Sequence, residues 1–311
     1  MKKKIFLFGS GGFVGSYFKN KYKNNKSFKT INYKNNHSLI HKKKANDMIS
    51  FWKKILKKTD TIVYLSFNNN LEDINKNFEK NLVQTLLPLT TLNETILTLK
   101  KKIRVIYLST ASIYGDQKNL PVNENANVKI LNRYDLLKSF SENILINSNN
   151  KFIDYQILRL SNVYGPNLSQ KKQDNRQVLT KIIQTCLKKQ KLNIFGKGNF
   201  YRDYIHLDDV SDIIKKISID YKTKKNQIYN IGSGKKIKLV SLFKSISKKI
   251  EKKINKKITL KYVKIIDNNK KSIIRNYQSD IKKAKIYLNW VPKINLEDGI
   301  DNLINFINEN N

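Results

Sequence analysis

The 311-residue chain is long enough to bury a substantial hydrophobic core, as one large domain or as two closely joined lobes. Its sequence holds no run of about eighteen apolar residues, and the apolar run near the start ends after four residues, so we expect neither a membrane span nor a secretory leader. Cys186 is the only cysteine, which excludes an intramolecular disulfide and a cysteine-based metal cluster. We expect a cytoplasmic protein without a bound metal.

The net charge of +37 raises the question of a polyanionic partner. Only six of the 61 basic residues are arginine, whose planar guanidinium is the better group for phosphate and base recognition. Lysine is instead scattered with asparagine, which favours a solvated surface and predicts no specific nucleic-acid partner. Binding to nucleic acid or to an anionic surface is the alternative, and only binding that persists near physiological salt would support it.

The chain opens with a predicted strand, a glycine cluster and a helix. Four apolar residues (5–8) precede Gly9, Gly12 and Gly15, and apolar residues then recur at helical spacing. In a dinucleotide-binding βα unit the first glycine allows a sharp turn, the second lets the backbone approach a pyrophosphate, and the third lets the helix pack closely. The helix N-terminus would face the anion. The alternative is a glycine-rich turn without a ligand.

A second strand is predicted over residues 28–33, and its end is where an NAD-binding unit usually places an acid on the ribose. The sequence from Ser16 to Asn46 has no aspartate or glutamate. Tyr33 occupies the position and Lys34 follows, which tilts the cofactor towards NADP. Asp47 and Met48 come next and could meet the adenine edge, although a surface-loop acid is the alternative.

Further strands are predicted over residues 61–65, 104–108 and 154–160, with intervening helices. Pro88 lies inside the apolar pattern of a long helix and predicts a kink or break. This alternation predicts an α/β fold with a Rossmann-like, doubly wound parallel sheet whose ligand lies outside the carboxyl ends of the strands. We expect a NAD(P)-binding domain over residues 1–165 and a smaller, mixed substrate lobe over 166–311, some segments of which return to the sheet.

The fourth strand leads into a second set of candidate residues. Thr110 stands at its end, and Tyr134 and Lys138 follow at a four-residue spacing that places them on one helix face. A phenol is a poor base at neutral pH unless a neighbouring cation lowers its pKa. Tyr134 could then exchange a proton with a carbinol while hydride moves to or from a nicotinamide, with Thr110 sharing the proton. The alternative is a surface helix pair.

Together these motifs resemble the NAD-dependent epimerase/dehydratase family of nucleotide-sugar enzymes, within the extended short-chain dehydrogenase/reductase superfamily. The resemblance covers nearly the whole chain. Its blocks are residues 9–15, 109–115, 134 with 138, 159–166, 194–198, 202–210, 229–234, 279–284 and 289–292.

The resemblance implies a role for each matching position. Thr110, Tyr134 and Lys138 would be catalytic. The expected contacts of NAD or NADP are Gly9, Gly11, Gly12, Phe13, Val14, Gly15, Lys34, Asp47, Met48, Leu65, Ser66, Asn81, Tyr134 and Lys138. The expected contacts of a nucleotide sugar are Thr110, Ser112, Asn162, Arg202 and Arg275, the two arginines on its diphosphate. His206 is expected to be structural.

Departures from the family pattern bear on the reaction. Dehydratases carry an acidic pair after the threonine, where this chain has Ala111 and Ser112, so we expect no carboxyl group there and argue against 4,6-dehydratase activity. An epimerase or a 4-keto reductase acting at C4 of a nucleotide sugar remains, with a role in supplying sugars for polysaccharide. A non-catalytic nucleotide- or RNA-binding protein of the same fold is the alternative. The family's habit is a homodimer formed through two long helices.

Overall fold

The computed structural model describes residues 2–31, 44–148, 150–169, 177–264 and 275–309. The strands are β1 (Lys3–Phe8), β2 (Phe28–Ile31), β3 (Thr61–Tyr64), β4 (Ile103–Thr110), β5 (Ile153–Leu160), β6 (Asn162–Tyr164), β7 (Lys191–Phe195), β8 (Tyr201–Arg202), β9 (Tyr204–His206), β10 (Gln227–Ile231), β11 (Ile237–Lys238) and β12 (Thr259–Val263). The helices are α1 (Phe13–Lys21), α2 (Ala45–Lys57), α3 (Leu71–Lys76), α4 (Phe78–Leu99), α5 (Arg133–Ile146), α6 (Val178–Lys189), α7 (Leu207–Ile219), α8 (Leu239–Ile254), α9 (Lys282–Leu288) and α10 (Leu296–Glu309). A 3₁₀ turn, Ala111–Tyr114, follows β4.

A six-stranded parallel sheet forms the centre of the molecule, in the order β10-β5-β4-β3-β1-β2. Helices cover both faces of the sheet, and the alternation within β1 shows why its residues are apolar. Ile5 and Leu7 belong to the core beneath α1 and α7, whereas Phe6 and Phe8 belong to the core beneath α2 and α4. This is the Rossmann-like, doubly wound fold that the sequence predicts.

A third core lies in the C-terminal part of the chain. Apolar residues of α6, α8 and α10 pack together there, among them Ile183, Ile246 and Ile304. The paired strands β7 and β12 contribute to the same cluster. β10 returns to the central sheet, where it pairs with β5. The division of the chain at residue 165 stays a prediction.

One local prediction differs from the structure, and another lies partly outside the described residues. α4 runs without a break through Pro88, whose carbonyl oxygen accepts a hydrogen bond of 2.9 Å from Trp52 Nε1 of α2. This contact with α2 stabilises α4 at Pro88, which has no backbone N–H to donate within the helix. β2 is described over Phe28–Ile31, and the end of the predicted strand, with Tyr33, lies outside the described residues. Within the described ranges, no helix has the length and apolar composition needed to cross a bilayer.

Candidate active site

The candidate site lies where the strand order of the sheet reverses. The chain passes from β1 to β2 on one side and then to β3 on the other, so the loops after β1 and β3 diverge. In doubly wound folds this divergence opens a ligand crevice at the carboxyl ends of the strands. A cleft of about 460 Å³ lies there, within the size range of small-molecule sites. The glycine loop, the ends of β3, β4 and β5, and the starts of α5 and α6 line it.

The glycine loop is shaped by close backbone approaches. Gly9 has φ +100°, and a Cβ atom there would lie 2.6 Å from the backbone nitrogen of Ser66 after β3. A Cβ atom at Gly15 would lie 2.5 Å from the carbonyl oxygen of Gly9, so α1 packs directly on the loop. Gly12 closes the turn by donating its N–H to Gly9 at 3.1 Å. Side chains would therefore not fit at Gly9 or Gly15.

The N-terminus of α1 suits an anion. Gly12 is the N-cap and offers no side-chain acceptor, and the first turn holds no acidic residue. The first N–H groups of a helix lack intrahelical partners and carry a partial positive charge. Phe13 and Val14 of this turn line the cleft together with Gly9, Gly12 and Gly15. These features fit the pyrophosphate of a dinucleotide.

Lys138 is buried at the base of the cleft on α5. Its Nζ atom donates to the carbonyl oxygen of Leu108 at 2.7 Å and lies 4.0 Å from the ring centroid of Phe67. Burial lowers the pKa of Lys138 to about 7. The ring of Phe67 also meets that of Tyr134 edge to face, with centroids 5.2 Å apart. Phe67 thus covers both side chains on the cleft side.

Tyr134, one turn before Lys138, lines the cleft together with Thr110. Burial, with a smaller contribution from the Asp135 carboxylate, raises the pKa of Tyr134 to about 12. The expectation of a pKa lowered by Lys138 is therefore wrong for this protein in the absence of ligand. Burial dominates, and the amine is directed at the Leu108 carbonyl.

Thr110 ends β4 and caps the 3₁₀ turn that follows. Its hydroxyl oxygen accepts from the backbone N–H of Ser112 at 3.1 Å, and its hydroxyl donates to Ser112 Oγ at 3.0 Å. The Ser112 hydroxyl in turn donates to Oδ1 of Asp135 on α5. The structure thus brings Thr110, Tyr134 and Lys138 together at one end of the cleft.

A small pocket adjoins this end of the cleft and contains both candidate arginines. Arg202, Arg275 and Asn162 line it together with Thr110 and Ser112. Arg275 Nη1 donates to the carbonyl oxygen of Ser112 at 3.0 Å. Burial and the nearby Arg275 charge lower the pKa of Arg202 to about 10. Two guanidinium groups close enough to repel each other make the pocket suitable for an anion.

Other predicted site residues lie elsewhere. Met48 is buried in the core beneath α2, and Asp47 lies in the first turn of that helix. Asn81 is buried and bonds Asp73 and Asn68, so it supports the segment after β3 from behind the cleft. Of the remaining predicted residues, Leu65 does line the cleft, and the backbone of Ser66 lies against Gly9 of the glycine loop. A Cβ atom at Gly11 would have no neighbour within 4 Å. Lys34 lies outside the described residues.

Phe67 and Asp135 are absent from the sequence prediction. Phe67 lies two residues after the predicted third strand, in the loop at the carboxyl end of the sheet where ligands bind. This position is the sequence signal that could have identified it. Asp135 stands three residues after Asn132, which reads as an ordinary helix-capping pair, and the two side chains do bond each other. Positions 111 and 112 carry no carboxyl group, but α5 brings the Asp135 carboxylate to the Ser112 hydroxyl, outside the lining of the cleft.

Comparison with known proteins gives the family context. Residues 5–232 match the NAD dependent epimerase/dehydratase family. A protein of Methanocaldococcus jannaschii named "Putative UDP-glucose 4-epimerase" is 32% identical over 67% of this chain and 64% of its own length. The dTDP-D-glucose 4,6-dehydratase of Dictyostelium discoideum is 27% identical over 78% of this chain and 61% of its own length. The chain therefore spans less than two thirds of the length of these curated relatives.

The fold has a close structural counterpart as well. The UDP-glucose 4-epimerase of Thermotoga maritima, solved with UDP-glucose, superimposes with a TM-score of 0.82 at 22% identity over 99% of both chains. The family match covers the glycine loop, the end of β4, α5 and Arg202. The chain belongs to the NAD dependent epimerase/dehydratase family.

Proposed function

We propose that the protein is a NAD(P)-dependent nucleotide-sugar enzyme that oxidises or reduces C4 of the sugar, as an epimerase or a 4-keto reductase. One observation carries the proposal. Tyr134, Thr110 and Lys138 converge at one end of a cleft whose other end is an uncapped helix N-terminus behind a glycine loop. A proton-transferring group and a dinucleotide site within one cleft are what such hydride chemistry needs.

The residues that would hold a nicotinamide dinucleotide are those of the glycine loop and the first turn of α1, with Lys138 near the ribose. When bound, this cofactor supplies a hydride acceptor or donor. Asp47, Met48 and Asn81 do not line the cleft among the described residues, so we leave them out of the proposed contact set. The choice between NAD and NADP depends on the segment after β2.

Tyr134 is proposed as the acid and base. In the oxidative direction its oxygen takes the proton of the C4 hydroxyl, and in the reductive direction it returns a proton to the carbonyl oxygen. Thr110, which lines the cleft with Tyr134, would hold the same substrate oxygen. Lys138 would stabilise the phenolate once a substrate or cofactor draws its amine away from Leu108.

The arginine pocket supports a nucleotide diphosphate as the handle of the substrate. Arg202 and Arg275 lie beside Thr110 and Asn162, so an anion held there would place an attached sugar next to the catalytic group. Their guanidinium groups suit bidentate phosphate contacts. A carbonyl reductase for small uncharged substrates would not need two guanidinium groups beside its catalytic residues. A relative that is a 4,6-dehydratase, together with the nearby Asp135, keeps water elimination as an outcome of the test.

A panel of UDP-, GDP-, CDP- and dTDP-linked sugars and their 4-keto forms, with and without NADPH, tests this proposal. Conversion of a sugar without added coenzyme identifies an epimerase with retained NAD. Stoichiometric NADPH oxidation by a 4-keto sugar identifies a reductase. Loss of water would identify a dehydratase, and no turnover with nucleotide binding intact would favour the non-catalytic alternative.

Dimerisation is a second proposal, about the assembly. Helices α4 and α5 expose apolar side chains of Val83, Leu97, Phe140 and Ile146 to solvent in the single chain. Pairing of these helices with those of a second copy would bury the exposed groups. Light scattering of the purified protein measures the mass that decides it.

A further inference from the structure

A chain of hydrogen bonds leads from Thr110, which lines the cleft with Tyr134, to a buried carboxylate. Thr110 and Tyr134 line the same end of the cleft, and the Thr110 hydroxyl acts to lower the pKa of Tyr134 against the effect of burial. The Thr110 hydroxyl donates to Ser112 Oγ at 3.0 Å. The Ser112 hydroxyl donates to Oδ1 of Asp135. Hydroxyl groups both donate and accept, so each member of this chain can pass a proton on while it receives another. Asp135 itself does not line the cleft.

The surroundings of Asp135 keep it available as a proton acceptor. Its side chain is fully buried, and its other oxygen, Oδ2, accepts from Asn132 Nδ2 at 2.9 Å and from Arg275 Nη1 at 3.3 Å. Burial raises the pKa of Asp135, while the charge of Arg275 opposes this rise. Tyr134 and Arg275 are the titratable groups whose charges act across these contacts.

We propose that Thr110, Ser112 and Asp135 form a proton relay through which Tyr134 exchanges its proton with a buried carboxylate. In one direction the phenol proton passes to Thr110, the Thr110 proton to Ser112, and the Ser112 proton to Asp135. Tyr134 is then a phenolate and Asp135 a neutral acid, with the total charge unchanged. The reverse transfer restores the phenol. The relay rests on the proposed function, because it prepares Tyr134 for proton exchange with the sugar hydroxyl.

The ion pair between Arg275 and Asp135 does not by itself explain why the Ser112 hydroxyl is bonded to Asp135. Arg275 contacts Oδ2 of Asp135 and the backbone carbonyl of Ser112, and neither contact involves the Ser112 hydroxyl. The Ser112 hydroxyl instead donates to Oδ1 of Asp135 and accepts from the Thr110 hydroxyl, so it connects the two residues. Asp135 is therefore a positioning residue that acts on Tyr134 through two hydroxyl groups, and it anchors Arg275 with a separate oxygen.

Two substitutions separate the relay from the ion pair. Ser112→Ala interrupts the relay and leaves the contacts of Arg275 with the Asp135 carboxylate and the backbone carbonyl of residue 112 possible. Asp135→Asn keeps a similar shape and removes the proton acceptor. With the sugar found active in the panel, we expect each variant to lower kcat about tenfold, with KM changed less than about twofold. This is less than the loss of about 10²–10⁴-fold for a direct acid–base group, because Tyr134 itself stays in place. The double variant should be no slower than the slower single variant, because both remove one unit.

The pH dependence and a matched control complete the kinetic test. The acidic limb of the kcat profile should disappear in Asp135→Asn, since a carboxylate is no longer needed as acceptor. Glu72→Gln removes an exposed carboxylate that pairs with Lys76 and should leave the profile unchanged. A raised KM with unchanged kcat in Asp135→Asn, together with a silent Ser112→Ala, would overturn the relay and leave only an anchor for Arg275.

A readout without turnover separates the relay from the proposed function. In protein labelled with ¹³C-tyrosine, the NMR signal missing in Tyr134→Phe reports the ionisation of Tyr134. Asp135→Asn should lower the pKa of Tyr134, because a neighbouring negative charge is removed. An unchanged pKa would contradict the relay even in an active enzyme. A lowered pKa in a protein that turns over no nucleotide sugar would instead contradict the proposed function.

Discussion

Gly9 has φ +100°, a backbone conformation that residues with a side chain rarely adopt. It also lies where the glycine loop approaches the backbone of Ser66 most closely. Gly9→Ala would force a Cβ atom against the backbone of Ser66, so we expect the free energy of unfolding to fall by about 1–3 kcal/mol and dinucleotide affinity to fall with it. Gly11→Ala is the matched control, because a Cβ atom there meets nothing within 4 Å. Its effect should stay within about 0.5 kcal/mol. Equal losses in the two variants, measured by urea unfolding, would contradict this account of the loop.

Lys138 links the chemistry of the site to the pH dependence of stability. Its pKa is lowered to about 7 in the folded protein, so the unfolded chain binds more protons between that value and the ordinary lysine pKa of 10.5. The contribution of Lys138 to stability therefore rises with pH across this window, by at most about 1.4 kcal/mol per pH unit.

Lys138→Met removes this dependence along with the amine. We expect the variant to be more stable than the wild type near pH 7, with an advantage that shrinks as the pH rises towards 10, and to be nearly inactive. Urea unfolding of both proteins across this pH range measures the difference. An advantage that grows with pH would show that the amine is not held in its neutral form.

At the scale of elements, Arg104 ties β4 to β5 and to the end of α7. Its Nε atom donates to Asp154 Oδ2 at 2.8 Å, and its Nη1 atom donates to the carbonyl oxygen of Ile217 at 2.8 Å. The guanidinium is buried at the amino end of β4, opposite the cleft.

Arg104→Met would leave a carboxylate and a helix-end carbonyl without their donor. We expect a loss of about 3–5 kcal/mol in the free energy of unfolding, because breaking a buried pair strands its partner. Arg104→Lys keeps the charge without the planar fork and should lose less. Turnover by the folded fraction at low temperature should remain near that of the wild type. A loss below about 1 kcal/mol would mean that the pair contributes little.

The sequence predicts the elements of the central sheet better than the contacts at its edge. The apolar runs of β1, β3, β4 and β5 and the glycine spacing have local signals, and the parallel, doubly wound sheet follows from their alternation. The shift of the Tyr134 pKa has no such signal, because burial depends on how Phe67 and α5 pack. Asp135 carries a local signal for helix capping only, and its contact with Ser112 exists only in the folded chain.

At the scale of the whole molecule, the net charge of +37 predicts a strong response to salt. Like charges repel more when screening is weak, so raising the salt from about 20 mM to about 300 mM should raise Tm by several degrees. Over the same range, binding to RNA should fall to background, because scattered lysines provide only counterion release. RNA binding that survives at the higher salt, measured by fluorescence anisotropy, would contradict the interpretation of a solvated surface.

The central claim is that Tyr134 exchanges the proton of a nucleotide sugar. Tyr134→Phe keeps the ring that packs against Phe67 and removes the phenol hydroxyl from the cleft. Turnover of the sugar found active in the panel should fall by about 10²–10⁴. Affinity for the dinucleotide should be nearly unchanged, and Tyr262→Phe, at an exposed tyrosine, should behave as the wild type. Retained turnover in Tyr134→Phe would contradict the claim.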